Sequence, residues 1–138
     1  MSAAEAEAVR EANARFYRAF ESLTLDEMDA VWAHGGHVAC VHPGWPRLTG
    51  WEAVRESWAA IFQNTVEMRF TITDVQVEVR ADLGWVLCTE NILSQARGGL
   101  AVTAILATNV FERQGGEWLL VHHHASHVLA SPPPGEPS

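Results

Sequence analysis

The chain has 138 residues and a formal net charge of -8 at pH 7, with nine basic and seventeen acidic residues. This length corresponds to one ordinary domain, which can bury a core without disulfides or a structural metal. The negative charge repels phosphate groups, and no cluster of lysine and arginine interrupts it, so we expect no nucleic-acid partner.

The composition also bears on compartment and core. The amino terminus has no basic region followed by an apolar stretch, and no run of eighteen apolar residues occurs. We therefore expect a cytoplasmic protein with no membrane partner. Cys40 and Cys88 lack the paired spacing of a zinc or redox motif, which predicts buried free thiols. Six tryptophans and five phenylalanines need burial in a core, an interface or a ligand cavity, and they are the first indication of a pocket.

Three helices are predicted in the first half of the chain. Each begins with Ser or Thr followed three residues later by Glu, so that both side chains bond to free amides of the first turn: Ser2/Glu5, Thr24/Glu27 and Thr49/Glu52. Apolar residues at three- and four-residue steps extend the first helix to about Ser22. The second helix has only two or three turns and stops at Gly35 and Gly36, and the third ends near Asn64.

Strands are predicted in the remaining segments. Residues 37–42 form a short strand that ends at a rigid loop, Pro43–Pro46, because proline lacks the amide that a strand ladder needs. Four long strands joined by glycine-containing turns follow the third helix, at 66–80, 85–97, 100–113 and 117–129. The alternation in the first of these changes phase near Thr73 and Asp74, which predicts a bulge.

This order of elements predicts an α+β fold. Three N-terminal helices wrap one face of a strongly bent antiparallel sheet, which closes into a cone with a cavity at its wide end. Residues 1–130 are expected to form a single domain. The proline-rich residues 131–138 are expected to form a disordered tail.

Several local sequences resemble the SnoaL-like branch of the nuclear transport factor 2-like superfamily. They are His42-Pro43 after the first strand, Leu48-Thr49-Gly50 before the third helix, and Trp118, Val121, His122, His124 and Ser126 in the last strand. The last pattern is also similar to the oligomerising association domain of calcium/calmodulin-dependent kinase. The resemblance covers roughly residues 5 to 130 and implies a cystatin-like cone. The superfamily includes isomerases, dehydratases, cyclases and transport adaptors, so the fold alone does not define a function.

The resemblance carries residue roles to two positions. In similar ketosteroid isomerases the general base is an aspartate directly before a proline at the end of the first strand, where this chain has His42 before Pro43. A histidine can transfer protons in the same way. Those isomerases also hold the developing oxyanion with a tyrosine on the first helix. The ungapped reading places Phe16 there, with Tyr17 one residue away, which argues against steroid isomerisation because a phenyl ring donates no hydrogen bond.

The last strand carries a row of histidines. Regular alternation predicts that one face carries Trp118, Leu120, His122, His124 and Ser126, and that the other carries Leu119, Val121, His123, Ala125 and His127. The first face changes from apolar to polar, as a cavity wall would, so we expect His122 and His124 to line the pocket. The alternative is that the histidines only bond to neighbouring strands or to a partner subunit.

Two polar residues interrupt apolar strands. Glu90 lies among apolar residues, where a buried carboxylate is costly without a partner. Pairing with a histidine would bring both pKa values into the range of a general acid and base. The alternation equally allows Asn91 to face inward and Glu90 outward. Asn109 is able to donate to a ligand carbonyl, to fix a histidine tautomer or to bridge two strands.

Aromatic residues around and after the rigid loop are suited to clamp a flat apolar ligand: Trp45, Trp51, Trp58 and Phe62. Core packing explains Trp58 and Phe62 as well. His42, His122 and His124 would formally suffice for a zinc site. No helix carries a two-histidine motif of established spacing, however, and we expect neither a metal nor a cofactor.

The leading interpretation is a cofactor-free enzyme that isomerises, dehydrates or cyclises a small hydrophobic carbonyl or hydroxyl compound. His42 is the expected proton-transfer group, with Glu90, His122 and His124 as the polar floor of the pocket. The expected ligand-binding residues are Phe16, Trp45, Trp51, Trp58, Phe62 and Asn109. The alternative is a non-catalytic module that binds a ligand or assembles subunits. A homodimer is expected in either case, because apolar residues lie on both faces of the strands.

Overall fold

The computed structural model describes residues 2–96 and 98–128 of the chain. Its helices are α1 (Ala3–Ser22), α2 (Leu25–Val31) and α3 (Trp51–Gln63). Its strands are β1 (Ala39–Val41), β2 (Leu48–Thr49), β3 (Thr65–Arg80), β4 (Leu83–Ala96), β5 (Gly99–Gln114) and β6 (Glu117–His127). The tail expected at 131–138 lies outside the described residues. None of the described helices combines the length and the apolar character needed to cross a bilayer.

One of the three predicted helix-start signals forms in full. Ser2 Oγ accepts a hydrogen bond from the Glu5 amide at 3.0 Å, and Glu5 Oε1 accepts one from the Ser2 amide at 3.2 Å. Thr24 precedes α2 without a side-chain bond to the amides of that helix. Thr49 lies in β2 and does not cap α3, which begins only after Gly50. The φ of Gly50 is 86°, a value that glycine adopts at little cost.

The strands form one curved, unclosed sheet in the order β2-β1-β6-β5-β4-β3. The helices pack against one face of this sheet, which confirms the predicted α+β class. β1 nevertheless runs parallel to β6, with Cys40 opposite His123, so the sheet is mixed rather than antiparallel throughout. Alternation within a strand does not specify its neighbour, and the long stretch of chain between β1 and β6 permits either direction.

The bulge predicted in β3 is confirmed. The pairing of β3 with β4 passes from Thr73 opposite Thr89 to Gln76 opposite Leu87, which leaves more residues on the β3 side. Asp74 has a φ of 54°, in the left-handed region that a short polar side chain tolerates better than most.

A second bulge, which was not predicted, lies in β6. Val110 of β5 pairs with His122, but the next residue of β5, Phe111, pairs with Leu120. Val121 is therefore an extra residue with no partner on β5. Because side chains alternate between faces, one extra residue moves every later side chain of β6 to the opposite face.

This second bulge changes the assignment of the histidines. The buried side chains of β6, before and after the bulge, are Trp118, Leu120, Val121, His123 and Ala125. The prediction that His122 and His124 face the interior is therefore wrong, and His123 lies on the inner face instead.

Aromatic rings dominate the core between the helices and the sheet. Phe16 and Phe20 of α1 pack edge-on against Trp58 of α3, with ring centroids 5.8 and 4.8 Å apart. Burial of such rings contributes much of the hydrophobic stabilisation of a small domain. This tightly packed layer holds the polar side chains of the inner face in place.

Candidate active site

Polar side chains from three neighbouring strands, and from the residue that follows β1, project into the aromatic core. Glu90 of β4, Asn109 of β5 and His123 of β6 lie on the inner face, and His42 directly follows β1 on the same side. Each of these four is at most 3% exposed to solvent. Asn109 and His123 lie directly opposite one another in the β5–β6 pair. Of the two neighbours that alternation left open, Glu90 faces inward and Asn91 outward.

Helix α1 adds two further polar side chains to this group. Asn13 and Tyr17 are four residues apart, so they lie on one side of the helix, and both are 4% exposed. Tyr17 Oη donates a hydrogen bond to Glu90 Oε2 at 2.5 Å. The buried carboxyl group thus has a donor, which offsets part of the cost of its burial.

Asn109 connects the helix to the histidine of β6. Its Nδ2 donates to Asn13 Oδ1 at 2.8 Å and to Tyr17 Oη at 3.1 Å, while its Oδ1 lies 2.6 Å from His123 Nδ1. A carbonyl oxygen can only accept, so Nδ1 of His123 carries the ring proton and Nε2 carries the lone pair. A continuous chain of hydrogen bonds therefore runs from His123 through Asn109 and Tyr17 to Glu90.

Burial changes the protonation of the Glu90–Tyr17 pair. Desolvation raises the pKa of Glu90 from 4.5 to about 7, and the hydrogen bond from Tyr17 acts in the opposite direction. Burial, followed by the negative charge of Glu90, raises the pKa of Tyr17 well above its usual value. Glu90 therefore exchanges its proton near neutral pH, while Tyr17 keeps its own. A carboxyl group of this kind is suited to general acid/base catalysis.

His42 bonds to helix α3. Its Nε2 lies 2.8 Å from Ser57 Oγ, and Ser57 Oγ donates its only proton to the Val54 carbonyl at 2.6 Å. Ser57 therefore accepts from His42, which places the ring proton of His42 on Nε2 and the lone pair on Nδ1. Burial lowers the pKa of His42 from 6.5 to about 4, so this ring is neutral at pH 7.

The two buried imidazoles are neighbours. The ring centroids of His42 and His123 are 6.3 Å apart. Burial, followed by the charge that His42 would carry when protonated, lowers the pKa of His123 well below 6.5. The interior therefore combines one carboxyl group that titrates near neutrality with two neutral imidazoles and one phenol.

Three of the aromatic residues expected to bind a ligand adjoin these groups. Phe16 lies 4.9 Å from His123, and Trp58 lies 4.7 Å from His42, between ring centroids. Phe62 is half-buried and lies 5.9 Å from Trp58. These rings form an apolar wall around the polar chain.

The other two aromatic residues differ in position. Trp45, on the loop Pro43–Pro46, is 40% exposed while its ring lies 4.9 Å from that of His42. Trp51 instead stacks on His34 at the start of α3, with ring centroids 4.4 Å apart and an interplanar angle of 6°. No ring of the inner histidines packs against Trp51 in the described part of the chain, so its expected role in this site finds no support.

His122 and His124 lie on the outer face of the sheet. Their ring centroids are 5.9 Å apart, and His124 is exposed while His122 is half-buried. Burial, followed by the charge of His124, lowers the pKa of His122. The sheet separates both from His42, so the three cannot share one ligand or metal ion. Within residues 2–96 and 98–128, no three histidine, cysteine, aspartate or glutamate side chains converge as a metal site.

Two open clefts of the described chain lie away from the inner polar groups. A cleft of about 490 Å³ on the outer face is lined mainly by side chains of β4, β5 and β6: Leu87, Thr89, Leu106, Thr108, His124 and Ser126. A second, of about 580 Å³, lies beside Trp51. Glu90, Asn109 and His42 line neither of them. Packed side chains therefore cover the groups that were expected on a cavity wall.

Four residues of this site were not predicted from the sequence: Asn13, Tyr17, Ser57 and His123. Asn13 and Tyr17 are four residues apart and lie on the buried side of the first helix, so this spacing could have identified them from the sequence. The apolar run 119–121 breaks strict alternation, and this break indicates the bulge that turns His123 inward. Ser57 carried no comparable signal.

Comparisons with known proteins give a consistent picture. Residues 9–131 match the family model described as the SnoaL-like domain. A "putative dehydratase" of the NTF2-like family from Streptomyces avermitilis is 43% identical, with a TM-score of 0.86 over 92% of this chain and 98% of that chain. A "putative calcium/calmodulin-dependent protein kinase type II association domain" from Thiobacillus denitrificans is 38% identical, with a TM-score of 0.74 over 85% and 92%.

Two further relatives are more distant or longer. A ketosteroid isomerase-like protein from Erwinia carotovora atroseptica is 18% identical, with a TM-score of 0.78 over 95% of this chain and 100% of that chain, and it shows the fold alone. The F-box protein SKIP8 of Arabidopsis thaliana is 30% identical over 122 residues, which are 88% of this chain and 50% of that protein. This chain thus spans about half the length of the F-box protein.

Proposed function

Because the chain belongs to the SnoaL-like domain family of the nuclear transport factor 2-like superfamily, we propose that its interior binds a small, mostly apolar molecule and performs cofactor-free acid/base chemistry on it. The proposed reaction is the isomerisation or dehydration of a carbonyl or hydroxyl compound. The hydrogen bond of 2.5 Å between Tyr17 and Glu90, inside an aromatic core, carries this proposal. The identity of 43% to a protein named as a putative dehydratase supports it.

Glu90 takes the role of proton-transfer group that the sequence suggested for His42. With a pKa of about 7, it accepts a proton from a carbon next to a carbonyl group. In an isomerisation it returns that proton to another carbon. In a dehydration it gives the proton to the leaving hydroxyl group, which departs as water while a carbon–carbon double bond forms. Tyr17 orients the carboxyl group and, because its pKa is raised, remains a donor throughout.

His42 and His123 act as neutral positioning groups. The lone pair on His42 Nδ1, whose neighbour in the structure is the weakly donating Cys40 thiol with its sulfur at 3.8 Å, accepts a hydrogen bond from a ligand hydroxyl group in place of that weak contact. Asn109 holds the ring of His123 in one tautomer. Neutral imidazoles suit this role, because protonation of either ring would place a charge in a poorly solvated interior.

The ligand enters by way of the loop Pro43–Pro46. Trp45 reaches from solvent to the ring of His42, so its displacement would uncover the buried group. Gly44, with a φ of 81°, gives this loop a conformation that other residues rarely adopt. The aromatic side chain thus separates the interior from solvent until a ligand arrives.

Substitution of Glu90 by glutamine is expected to lower kcat/KM by 10²- to 10⁴-fold, because an amide cannot accept the proton. A thermal-shift screen of small apolar ketones and hydroxyketones identifies compounds that bind, and ultraviolet absorbance then follows formation of a conjugated enone. Asn91→Ala changes the neighbouring residue on the outer face and should keep the wild-type rate. Wild-type turnover by the Glu90→Gln protein would refute the proposed role.

A second function, subunit assembly, is favoured by the outer face of the sheet. The exposed apolar side chains on this face include Leu87, Leu93, Val102 and Leu106, with exposures of 41, 39, 78 and 52%. Contiguous exposed apolar surface is typical of protein interfaces. The relative named as an association domain, at 38% identity, supports the same idea. We propose a homodimer formed through this face.

Leu106→Lys is expected to convert that dimer into a monomer, raising the dissociation constant at least 100-fold, because it buries an unpaired charge in the interface. Size-exclusion chromatography with light scattering measures the mass. Ala60→Lys, on the exposed side of α3, is the matched control and should leave the dimer intact. A wild-type protein that is monomeric at micromolar concentration would exclude this second function.

A further inference from the structure

Two buried side-chain atoms in the described chain have no hydrogen-bond partner, Nε1 of Trp32 and Nε1 of Trp58. Buried donors are almost always paired, so each exception requires an explanation. A phenylalanine at either position would pack as an aromatic ring without an unpaired N–H group. An unpaired indole N–H group in this environment is therefore costly, and a bound molecule that accepts its hydrogen bond would offset that cost.

Trp58 lies among the ionisable groups of the interior. Its side chain is fully buried, and its ring centroid is 4.7 Å from that of His42 and 6.0 Å from that of His123. Both of those rings already bond elsewhere, His42 to Ser57 and His123 to Asn109. The N–H group of Trp58 is thus the donor that the protein's own polar chain does not use.

Trp32 has different surroundings. Its ring neighbours are Trp51 at 5.9 Å and Trp58 at 6.5 Å, between centroids. Neither His42 nor His123 packs against the Trp32 ring in the part of the chain that the structure describes. Trp32 therefore serves as an internal comparison, since it has the same unpaired donor away from the ionisable groups.

We propose that Trp58 is a ligand-binding residue whose Nε1–H group donates a hydrogen bond to an oxygen atom of the molecule that binds beside His42. This inference rests on the proposed function and makes it more specific. The ligand carries a carbonyl or hydroxyl oxygen on the Trp58 side, in addition to the carbon that exchanges a proton with Glu90. A hydroxyl group satisfies both neighbours, because it accepts from Trp58 and donates to the lone pair on His42 Nδ1.

Nuclear magnetic resonance of the indole groups tests this inference. A ¹H–¹⁵N correlation spectrum contains one indole signal for each of the six tryptophans, and the variants Trp58→Phe and Trp32→Phe identify two of them. Acetophenone is the probe, and α-methylstyrene, which has the same shape without the oxygen, is its control. Acetophenone is expected to move the Trp58 indole proton downfield as the hydrogen bond forms. α-Methylstyrene should not move the Trp58 indole proton downfield. Neither compound should move the Trp32 signal.

Binding measurements provide the second readout. Trp58→Phe is expected to weaken acetophenone binding about fivefold and to change α-methylstyrene binding less than about twofold. The inference is overturned if acetophenone does not move the Trp58 signal, or if both compounds move it equally. It is also overturned if the ligand-free signal already lies at the hydrogen-bonded position, which would mean that water occupies the donor.

The outcomes separate this inference from the function on which it rests. If acetophenone raises the melting temperature but does not move the Trp58 signal, the proposed role of Trp58 fails and the proposed ligand-binding function stands. If no compound among the ketones, hydroxyketones and alkenes raises the melting temperature, the proposed ligand-binding function fails together with it.

Discussion

Glu90→Gln is expected to gain stability over the wild type as pH rises, with the difference in free energy of unfolding growing by about 2 kcal/mol between pH 5.5 and pH 8. The pKa of Glu90 is raised from 4.5 to about 7 in the folded protein, which therefore holds a proton that the unfolded chain has released. The contribution of this proton to the stability of the folded protein is complete below pH 4.5 and is lost as the pH rises through 7. Glutamine has no such proton, so the variant avoids the loss.

Urea unfolding followed by tryptophan fluorescence, at several pH values from 5.5 to 8, measures this difference. His42 and His123 act in the opposite sense, because their lowered pKa values make stability fall as the pH drops below 6.5. Both proteins share that contribution, so it cancels in the comparison. Glu56→Gln, at an exposed position of α3, is the control and should keep the wild-type profile. Parallel profiles for Glu90→Gln and the wild type would contradict the raised pKa of Glu90.

Asn109→Ala is expected to lower the free energy of unfolding by about 3 to 5 kcal/mol. The Asn109 amide bonds to Asn13, Tyr17 and His123, all of which are buried. Alanine leaves those three groups without this partner and also opens a small cavity. Urea unfolding at pH 7 measures the loss, and circular dichroism establishes that the variant retains its secondary structure.

Asn91→Ala is the matched comparison for this substitution. The Asn91 amide also makes two side-chain hydrogen bonds, to the Thr71 carbonyl and to Thr73 Oγ1, each at 2.9 Å, but these are exposed. Water replaces them after substitution, so the expected loss is below about 1 kcal/mol. Equal losses for the two asparagines would show that the buried chain contributes no more than a surface bond.

Most of the fold was predictable because it depends on local periodicity. The apolar stripe after Ser2 and the capping box define α1, and alternating residues between glycine turns define the long strands. The direction of β1 beside β6 and the two-residue strand β2 were not predictable in this way. Both depend on which segments meet in space, and a single strand's pattern carries no information about its neighbour.

The residues of the candidate site were likewise predictable only where the signal is local in the sequence. Glu90 and Asn109 were candidates for the interior because they interrupt apolar runs, and His42 was one because it precedes Pro43, where similar ketosteroid isomerases have their general base. All three are buried. His122 and His124 were misplaced because alternation counts residues, whereas the bulge at Val121 becomes visible only in the pairing with β5. Similarity to ketosteroid isomerases pointed to the first helix, but the ungapped reading stopped one residue before Tyr17, the residue that bonds to Glu90.

The histidine at the inner position of β6 has another histidine on each side of it in the sequence. If β6 slipped by one residue along β5, His122 or His124 would face Asn109 in place of His123, and an imidazole would still be present. The residues on either side have no such redundancy, since a slip would turn Val121 and Ala125 out of the core and bring polar side chains into it. The apolar neighbours therefore fix the register of β6 on β5. A shift of one residue would keep an imidazole at this position but would destroy the packing of the core.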